Sequence, residues 1–342
     1  MILRNTTNYV ITGTKYYRLS SRALLSQFGT NLQNIEKSAR KIYVSDSGKI
    51  FNQRDQSGAE ALIVAYLCKP GNFRELFIHG VKPHVFVALH LFKKVWQEKI
   101  SREGLDIKCD LDELVNTPIA KLKENPWWKP LDKLIKSSDN WSASERYYYI
   151  SKQVCHSSNY GIKATMFCLN SLEKSKGQIV ISKRDAEYFL DTYHGLFPEI
   201  RQWHFEVENQ VRATRILYNL LGNPIQFTGD LEQQSVVKEW YSSVPQSTVA
   251  CITNLAFTKM QEIIEESNLD WDCLANTHDS FLVQSPESES LECHKIMKSL
   301  IEPELTNNRG EKFNMRSEGA TGKNWAPFHE TKNPEGLKEV FI

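Results

Sequence analysis

Two aspartates raise the first chemical question. In NTHDSFLVQS (276–285), Asp279 stands between His278 and Ser280, with turn-type Asn276 and Thr277 before it and Phe281, Leu282 and Val283 after it. The pattern predicts a β-hairpin tip running into a buried strand. A lone carboxylate there is most often a solvated turn residue, because desolvation raises the cost of its charge. Asp55 repeats the situation in NQRDQSGAEALIVAYL, at the end of a predicted strand (GKIFNQRD, 48–55) where a helix begins. Carboxylates at two strand ends far apart in sequence can meet on adjacent strands of one sheet. Such a pair can hold two Mg²⁺ ions, one activating an attacking oxygen and the other steadying the leaving oxygen of an in-line phosphoryl displacement. Mg²⁺ prefers hard oxygen ligands and keeps waters, so two aspartates plus substrate phosphates suffice.

Ser57 and Glu60, three apart before an apolar run, have the spacing of a capping box, which accounts for both without any chemistry. In SKQVCHSSNYGIKATMF (151–167), Lys152, His156 and Tyr160 recur every four residues and share one face of a predicted helix. A cation, an imidazole and an aromatic ring in a row could meet a triphosphate, a sugar and a base. Singly, each reads better as an exposed Lys, a hydrogen-bonded His and a core Tyr. Gly161 removes a side chain beside the aromatic, as close approach of a substrate or another backbone would require.

The elements that must position these residues are legible in outline. Residues 1–45 read as loops and short strands, 57–67 and 84–99 as helices, and 100–145, rich in charge, Pro and Trp, as an inserted lobe. Residues 146–168 read as helical, 183–221 as two more helices, and 221–227 as a turn feeding a strand. Val249, Ile252, Ala256, Met260 and Ile263 mark a helix over 246–265. A helix over 288–302 and a strand near 313–319 follow the hairpin. Strands at both ends with helices between predict an α+β sheet domain carrying a helical lobe.

The 342 residues are 41% hydrophobic, enough for one large domain or two to three subdomains. A net charge of +1 says nothing of nucleic acid. Local charge does: Lys15, Arg18, Arg22, Lys37, Arg40, Lys41, Lys49 and Arg54 face only Glu36 and Asp46 in the same segment, a candidate phosphate-binding surface. Seven scattered Cys without a C-x-x-C pair exclude a zinc framework or disulfide scaffold and point to a reducing compartment. No apolar run reaches the length of a membrane span, and the N-terminus lacks a signal-peptide core, so the expectation is a soluble, intracellular protein without membrane contact.

In order along the chain, these motifs resemble those of family A DNA polymerases, the DNA polymerase I family. DQSGAEALIVAYL is similar to motif A, KQVCHSSNYG to motif B on the fingers helix, and THDSF to motif C on the palm hairpin. RLSSRALLSQFGTNLQNI (18–35), VPQSTVACITNLAF (244–257) and EGATGKNWAP (318–327) resemble the connecting segments, so the likeness runs from about residue 14 to about 330. It implies a right-hand palm, an antiparallel sheet with helices (1–66 and 233–342), and mostly helical fingers (67–232). It implies template-directed addition of dNTPs to a primer 3′-OH with two Mg²⁺, or Mn²⁺ as substitute. Asp55 and Asp279 would hold the metals and Lys152 the incoming triphosphate. Tyr160 would close on the templating side and Glu60 would be the steric gate against a ribose 2′-OH. Ser57, His84, His156 and Gly161 would complete the dNTP site. Arg18 would contact the DNA backbone, with Asn31, Gln33, Asn34, Gln246 and His278 near the primer terminus and minor groove.

The departures carry expectations of their own. The Glu that usually follows the His-Asp pair is Ser280, as in phage-type single-subunit RNA polymerases, which makes RNA synthesis the alternative activity; a non-catalytic DNA-binding subunit is the other. His156 replaces the usual Phe or Tyr, leaving discrimination against dideoxynucleotides open. Tyr148 replaces a basic residue four before Lys152, and Asn223, Pro224 and Ile225 stand where the family has an Arg cluster. The family's thumb and 3′–5′ exonuclease lie before the Arg-Leu-Ser-Ser stretch and are expected to be absent from this chain. The expectation is a split enzyme of phage or mobile-element origin, in a bacterial cytoplasm if phage-encoded, with a second polypeptide supplying them; a truncated gene or an expression fragment is the alternative.

Overall fold

The computed structural model describes residues 7–10, 14, 16–22, 29–102, 110–139 and 145–342, with the side chains of 234, 235 and 238 left out. Lys15 and parts of the predicted lobe (103–109 and 140–144) therefore lie outside the described residues. The chain forms two compact units. A sheet unit comprises residues 1–60, 216–226 and 243–342, and a helical unit comprises 61–215 and 227–242.

In the sheet unit, β1 (Asn8–Val10) and β2 (Ser20–Arg22) form an antiparallel ribbon, and β3 (Lys49–Gln56) enters the main sheet. A small hairpin, β4 (Ile216–Tyr218) and β5 (Pro224–Gln226), comes later. The hairpin strands β6 (Asp272–Asn276) and β7 (Ser280–Pro286) are followed by the ribbon β8 (Glu304–Thr306) and β9 (Lys312–Asn314), then β10 (Ser317–Gly322) and β11 (Lys338–Val340). The main sheet is antiparallel, in the order β11-β10-β3-β7-β6, so β3 is central.

Alternation along β3 decides what the sheet presents. Phe51, Gln53 and Asp55 share one face with their cross-strand partners Gln284, Leu282 and Ser280. On this face Leu32, Phe51, Ala275, Leu282 and Trp325 form an apolar cluster. On the other face Asn52, Arg54 and Gln56 are all buried, at 0, 2 and 2% exposure. Buried polar groups need partners, and all three side chains find them, although Gln56 Oε1 is left without one among the described residues. Asn52 Nδ2 donates to Ser285 Oγ (3.0 Å), and Ser290 Oγ donates to Asn52 Oδ1 (2.6 Å). Arg54 Nε donates to Ser317 Oγ (3.1 Å) and its Nη1 to the His294 carbonyl (3.3 Å). Gln56 Nε2 donates to Thr253 Oγ1 (2.6 Å) and the Val249 carbonyl (3.2 Å). A one-residue slip of β3 would break every one of these bonds and turn Asp55 inward. Arg54 is thus no part of a basic surface, because the strand's period of two aims it into the core. Lys49 is likewise engaged, by Asp270 (2.7 Å) and Asp272 (2.9 Å).

The helical unit is built from α1 (Ala59–Leu67), which begins at the end of the sheet unit, α2 (Asn72–Ile78), α3 (Pro83–Leu91) and α4 (Lys93–Arg102). The single helix predicted over 84–99 is two. The chain turns at Phe92, so that Phe92 and Trp96 both pack on Tyr147, with ring centroids 5.0 and 5.6 Å away. Trp96 Nε1 donates back to the Ala88 carbonyl at 2.8 Å. The predicted lobe contributes α5 (Leu111–Val115), α6 (Ile119–Leu122) and α7 (Trp128–Lys136), whose Leu111, Leu122, Trp128, Leu131 and Ile135 are buried. Then come α8 (Tyr147–Asn159), α9 (Ala164–Lys174), α10 (Lys183–Leu196) and α11 (Pro198–Thr214). The 33-residue α12 (Gln234–Glu266) runs from this unit into the sheet unit, where α13 (Ser290–Ile301) lays Cys293, His294, Met297 and Ile301 beneath the sheet. No helix among the described residues is long and apolar enough to cross a membrane.

His294 is fully buried beside Arg54, and burial, then Arg54, lowers its pKa to about 4. The unfolded chain therefore takes up a proton between about pH 6.5 and 4 that the folded chain refuses, so the His294 contribution is present above pH 6.5 and lost as pH falls toward 4. Replacing His294 with Leu should flatten the fall in denaturant-measured stability across that window. An unchanged slope would show that the imidazole is not held neutral.

Candidate active site

Asp55 and Asp279 meet at one end of the main sheet. Asp55 sits near the end of β3, paired across strands with Ser280, and the Gln56 amide donates to the Asp279 carbonyl at 2.9 Å. Asp279 lies in a three-residue tip, Thr277–His278–Asp279, whose middle residue takes a left-handed backbone at φ 74°. That conformation costs a non-glycine residue about 1 kcal/mol or more and persists only where neighbours hold it. Here they do. The His278 amide donates to Asn276 Oδ1 (3.2 Å), the Thr277 amide to the Ser280 carbonyl (2.8 Å), and Thr277 Oγ1 lies 2.5 Å from Ser280 Oγ. Ser280, the departure in motif C, is buried and knits the hairpin, also accepting from Gln53 Nε2 at 3.3 Å.

The base of the tip is gripped from outside. The Tyr9 hydroxyl accepts from the Asn276 amide (2.7 Å) and donates to its carbonyl (3.1 Å). Gln33 Nε2 donates to the same carbonyl (3.2 Å), and Gln33 Oε1 accepts from the Ser21 amide (3.0 Å). Asn276 Nδ2 donates to Asn254 Oδ1 (3.0 Å). Tyr9 and Asn254 were not singled out in the sequence, and Asn276 read only as a turn residue, since only the folded register brings the three together.

Both carboxylates have a raised proton affinity, and desolvation is the first cause in each. Asp55 is pushed up to about 7, by burial first and then by Asp279 and Glu318, against the opposing fields of Lys37 and Arg40. Asp279 is raised by desolvation of its carboxyl and by Glu60, opposed by its own backbone amide, Arg18 and Lys37. Glu318, directly across from Asp55 on β10, is a third acidic group on this face that the sequence did not single out. Among the described residues no group of three or more His, Cys, Asp or Glu is arranged to hold a metal ion. The pair itself suits Mg²⁺: hard oxygen donors only, with like charges that a divalent cation would offset. Asp55 and Asp279 would hold it, leaving further positions for water and substrate phosphate.

The helix start beside Asp55 is not the predicted capping box. Gly58 turns the chain at φ 58°, Ser57 Oγ donates to Glu318 Oε1 (2.8 Å), and Glu60 Oε1 accepts from Arg18 Nη2 (2.7 Å). A partner from another strand or segment competes successfully with the local cap. Arg18, expected on the DNA backbone, is thus placed on the predicted steric gate. Asn31 caps a short 3₁₀ turn by accepting from the Gln33 amide (3.0 Å), Asn34 is exposed beside it, and Gln246 is half-buried on α12. His278 is half-buried, and burial followed by Arg18 lowers its pKa. A cleft of about 680 Å³ opens on the same sheet face over Phe51, Leu282 and Trp325 and includes neither carboxylate.

The motif B residues lie in the helical unit. Lys152 and His156 are exposed on α8, but the helix ends at Asn159, so Tyr160 is its cap residue and not a third step on one helical face. The ring of Tyr160 still meets that of His156, centroids 5.2 Å apart. Tyr148, in place of a basic residue, lays its ring under the Lys152 ammonium at 5.4 Å and against His84 at 6.3 Å. His84 is held neutral, its pKa lowered to about 4 by burial and then by Lys152, His156 and Lys82. Gly161 has φ 66°, and a Cβ there would lie 2.7 Å from the Tyr241 ring. What requires glycine is a side chain of the same unit, not a substrate or a second backbone.

Comparison with known proteins bears on the family and the fold. The model of DNA polymerase family A matches residues 134–327, and the chain belongs to that family. Its relatives include the DNA polymerase I of Borreliella burgdorferi, 22% identical over 334 residues (94% of this chain, 30% of that protein). Those of Caldicellulosiruptor bescii and Treponema pallidum are 22 and 21% identical, across 95 and 94% of this chain and 32 and 27% of theirs. The chain therefore spans about a third of the length of the curated relatives it matches. The polymerase domain of Pol1 from M. smegmatis, solved with DNA primer–template and dNTP, shares the fold at a TM-score of 0.66 and 19% identity, over 94% of this chain and 48% of that one.

The raised Asp55 gives a signed expectation. Its folded pKa exceeds the unfolded value, so its contribution is complete below about pH 4 and lost as pH rises through about 7. Without divalent ions at pH 8, Asp55→Asn should melt above the parent protein, with the gap closing below about pH 4. Mg²⁺ should raise the melting temperature of the parent and leave that of Asp55→Asn nearly unmoved. Thermal melts with Mg²⁺ and with EDTA would show this, and equal Mg²⁺ responses would remove Asp55 from the metal site.

Proposed function

We propose that this chain is the palm and fingers of a template-directed DNA polymerase, the sheet unit being the palm and the helical unit the fingers. The reaction is attack of a primer 3′-oxygen on the α-phosphorus of a dNTP. The new P–O bond extends the primer, and the bond to the β-phosphate breaks to release pyrophosphate. The observation that carries this reading is the meeting of Asp55 and Asp279 at one end of the sheet, in a chain of DNA polymerase family A. Primer–template and dNTP as partners are supported by their presence in the M. smegmatis structure of the same fold.

Mg²⁺ bound by the two aspartates would neutralise charge on the attacking and leaving oxygens. The protein's own residues do the rest by positioning and charge. Lys152 binds the triphosphate, its ammonium steadied over Tyr148. Tyr160 and His156, in ring contact, cover the nascent base pair and face the sugar. Glu60 limits the space for a 2′-hydroxyl, and its link to Arg18 fixes the carboxylate in the free protein. Gln33 acts first on the hairpin that carries Asp279.

Primer extension on a DNA template with Mg²⁺ tests the reading. Extension should occur with dNTPs and fall by about 10² to 10³ or more in Asp279→Ala. Glu60→Ala should improve incorporation of rNTPs relative to dNTPs. Efficient extension by the parent chain with rNTPs alone would replace the reading with an RNA polymerase.

A further inference from the structure

The end of α8 is held by polar bonds that a helix terminus does not require. Asn159, its last residue, is 3% exposed, and both of its oxygens are engaged. Its side-chain Oδ1 accepts from the Tyr193 hydroxyl on α10 at 2.7 Å. Its carbonyl, one of the orphan acceptors at a helix end, lies 2.8 Å from His204 Nε2 on α11. A carbonyl can only accept, so Nε2 carries the proton. Burial lowers the His204 pKa to about 4, which keeps that donor a neutral imidazole.

A second restraint acts on the other side of Tyr160. The His204 ring lies on the Tyr241 ring, centroids 4.1 Å apart and planes at 36°. The Tyr241 hydroxyl donates to Glu208, one turn beyond His204 on α11. The edge of the same ring occupies the place of a Cβ on Gly161. Tyr160 is therefore bracketed, hydrogen-bonded at Asn159 and seated sterically at Gly161, and His204 takes part in both restraints. Apolar side chains could fill this space and bury as much area without the risk of unpaired polar groups. Directional bonds add a defined position for the turn, which non-directional packing supplies less well.

We propose that Asn159 and His204 are positioning residues for Tyr160, setting where its ring stands when a nucleotide is bound. The role rests on the polymerase reading, in which Tyr160 covers the nascent pair. Loss of the clamp then acts on the nucleotide and its match to the template, not on DNA binding or on the aspartates.

The test uses the full chain with His204→Phe, which keeps an aromatic ring and removes the donor, and His204→Gln, which restores a donor. His204→Phe should raise the KM for the correct dNTP about tenfold and weaken selection against a mismatched dNTP. The kcat and primer–template affinity should stay within about twofold, and His204→Gln should recover much of the loss. Hydrogen exchange of the Tyr160, Gly161 and Ile162 amides, read without substrate, should speed up in His204→Phe relative to the first turns of α8. Unchanged KM and selectivity, or an equal loss in kcat and DNA binding that Gln does not rescue, would overturn the positioning role. If the parent protein incorporates no nucleotide, the polymerase reading fails by itself. The exchange measurement then decides the clamp alone, and unchanged protection at Tyr160–Ile162 would refute it.

Discussion

Like charges held close together at the end of a sheet are what the rest of the sheet unit has to withstand. Desolvation raises the cost of each charge, and the field of Asp279 adds repulsion at Asp55. Left to itself a hairpin tip would relax and carry Asp279 away from Asp55. It is prevented from doing so by the left-handed His278, by the Thr277–Ser280 bonds, and by the grip of Tyr9, Gln33 and Asn254 on Asn276. Strain at one residue and repulsion at two are tolerated because many ordinary hydrogen bonds oppose them.

The central strand solves the same problem from below. Its buried face is Asn52, Arg54 and Gln56 where a sheet core would ordinarily place aliphatic residues. Paired polar groups in a core are no more stabilising than good apolar packing, but they tolerate only one register. Register is what sets Asp55 opposite Ser280 and Glu318. The helical unit applies the same device at the end of α8, where bonds from two other helices define the position of one turn.

Much of this was legible along the chain. The strand ending near Asp55, the hairpin at 276–285, the motif B helix and the helix through 246–265 follow from hydrophobic period and turn residues, which act within a few residues. The failures share a cause. Ser57 and Glu60 have capping-box spacing, yet Glu318 and Arg18 take their side chains. Tyr160 continues a helical repeat that stops one residue earlier, where buried partners take over the end of the helix. Arg54 sits in a run of basic residues and points into the core. Each time a local rule met a partner more than thirty residues away, and the partner prevailed because a buried, directional bond outweighs a cap or a propensity worth about 1 kcal/mol.

The sequence by itself determined the inventory and its order: two aspartates at strand ends, a Lys–His–Tyr-Gly helix end, and the periodicities that make the elements carrying them. Those follow from short-range chemistry that any local window contains. Only the tertiary structure decided which groups face one another. It set Glu318 across from Asp55, Arg18 on Glu60, the Tyr9 hydroxyl on Asn276 and the Tyr241 ring against Gly161. Strand register and helix docking fix these meetings, and both depend on burying surfaces that are remote from one another along the chain.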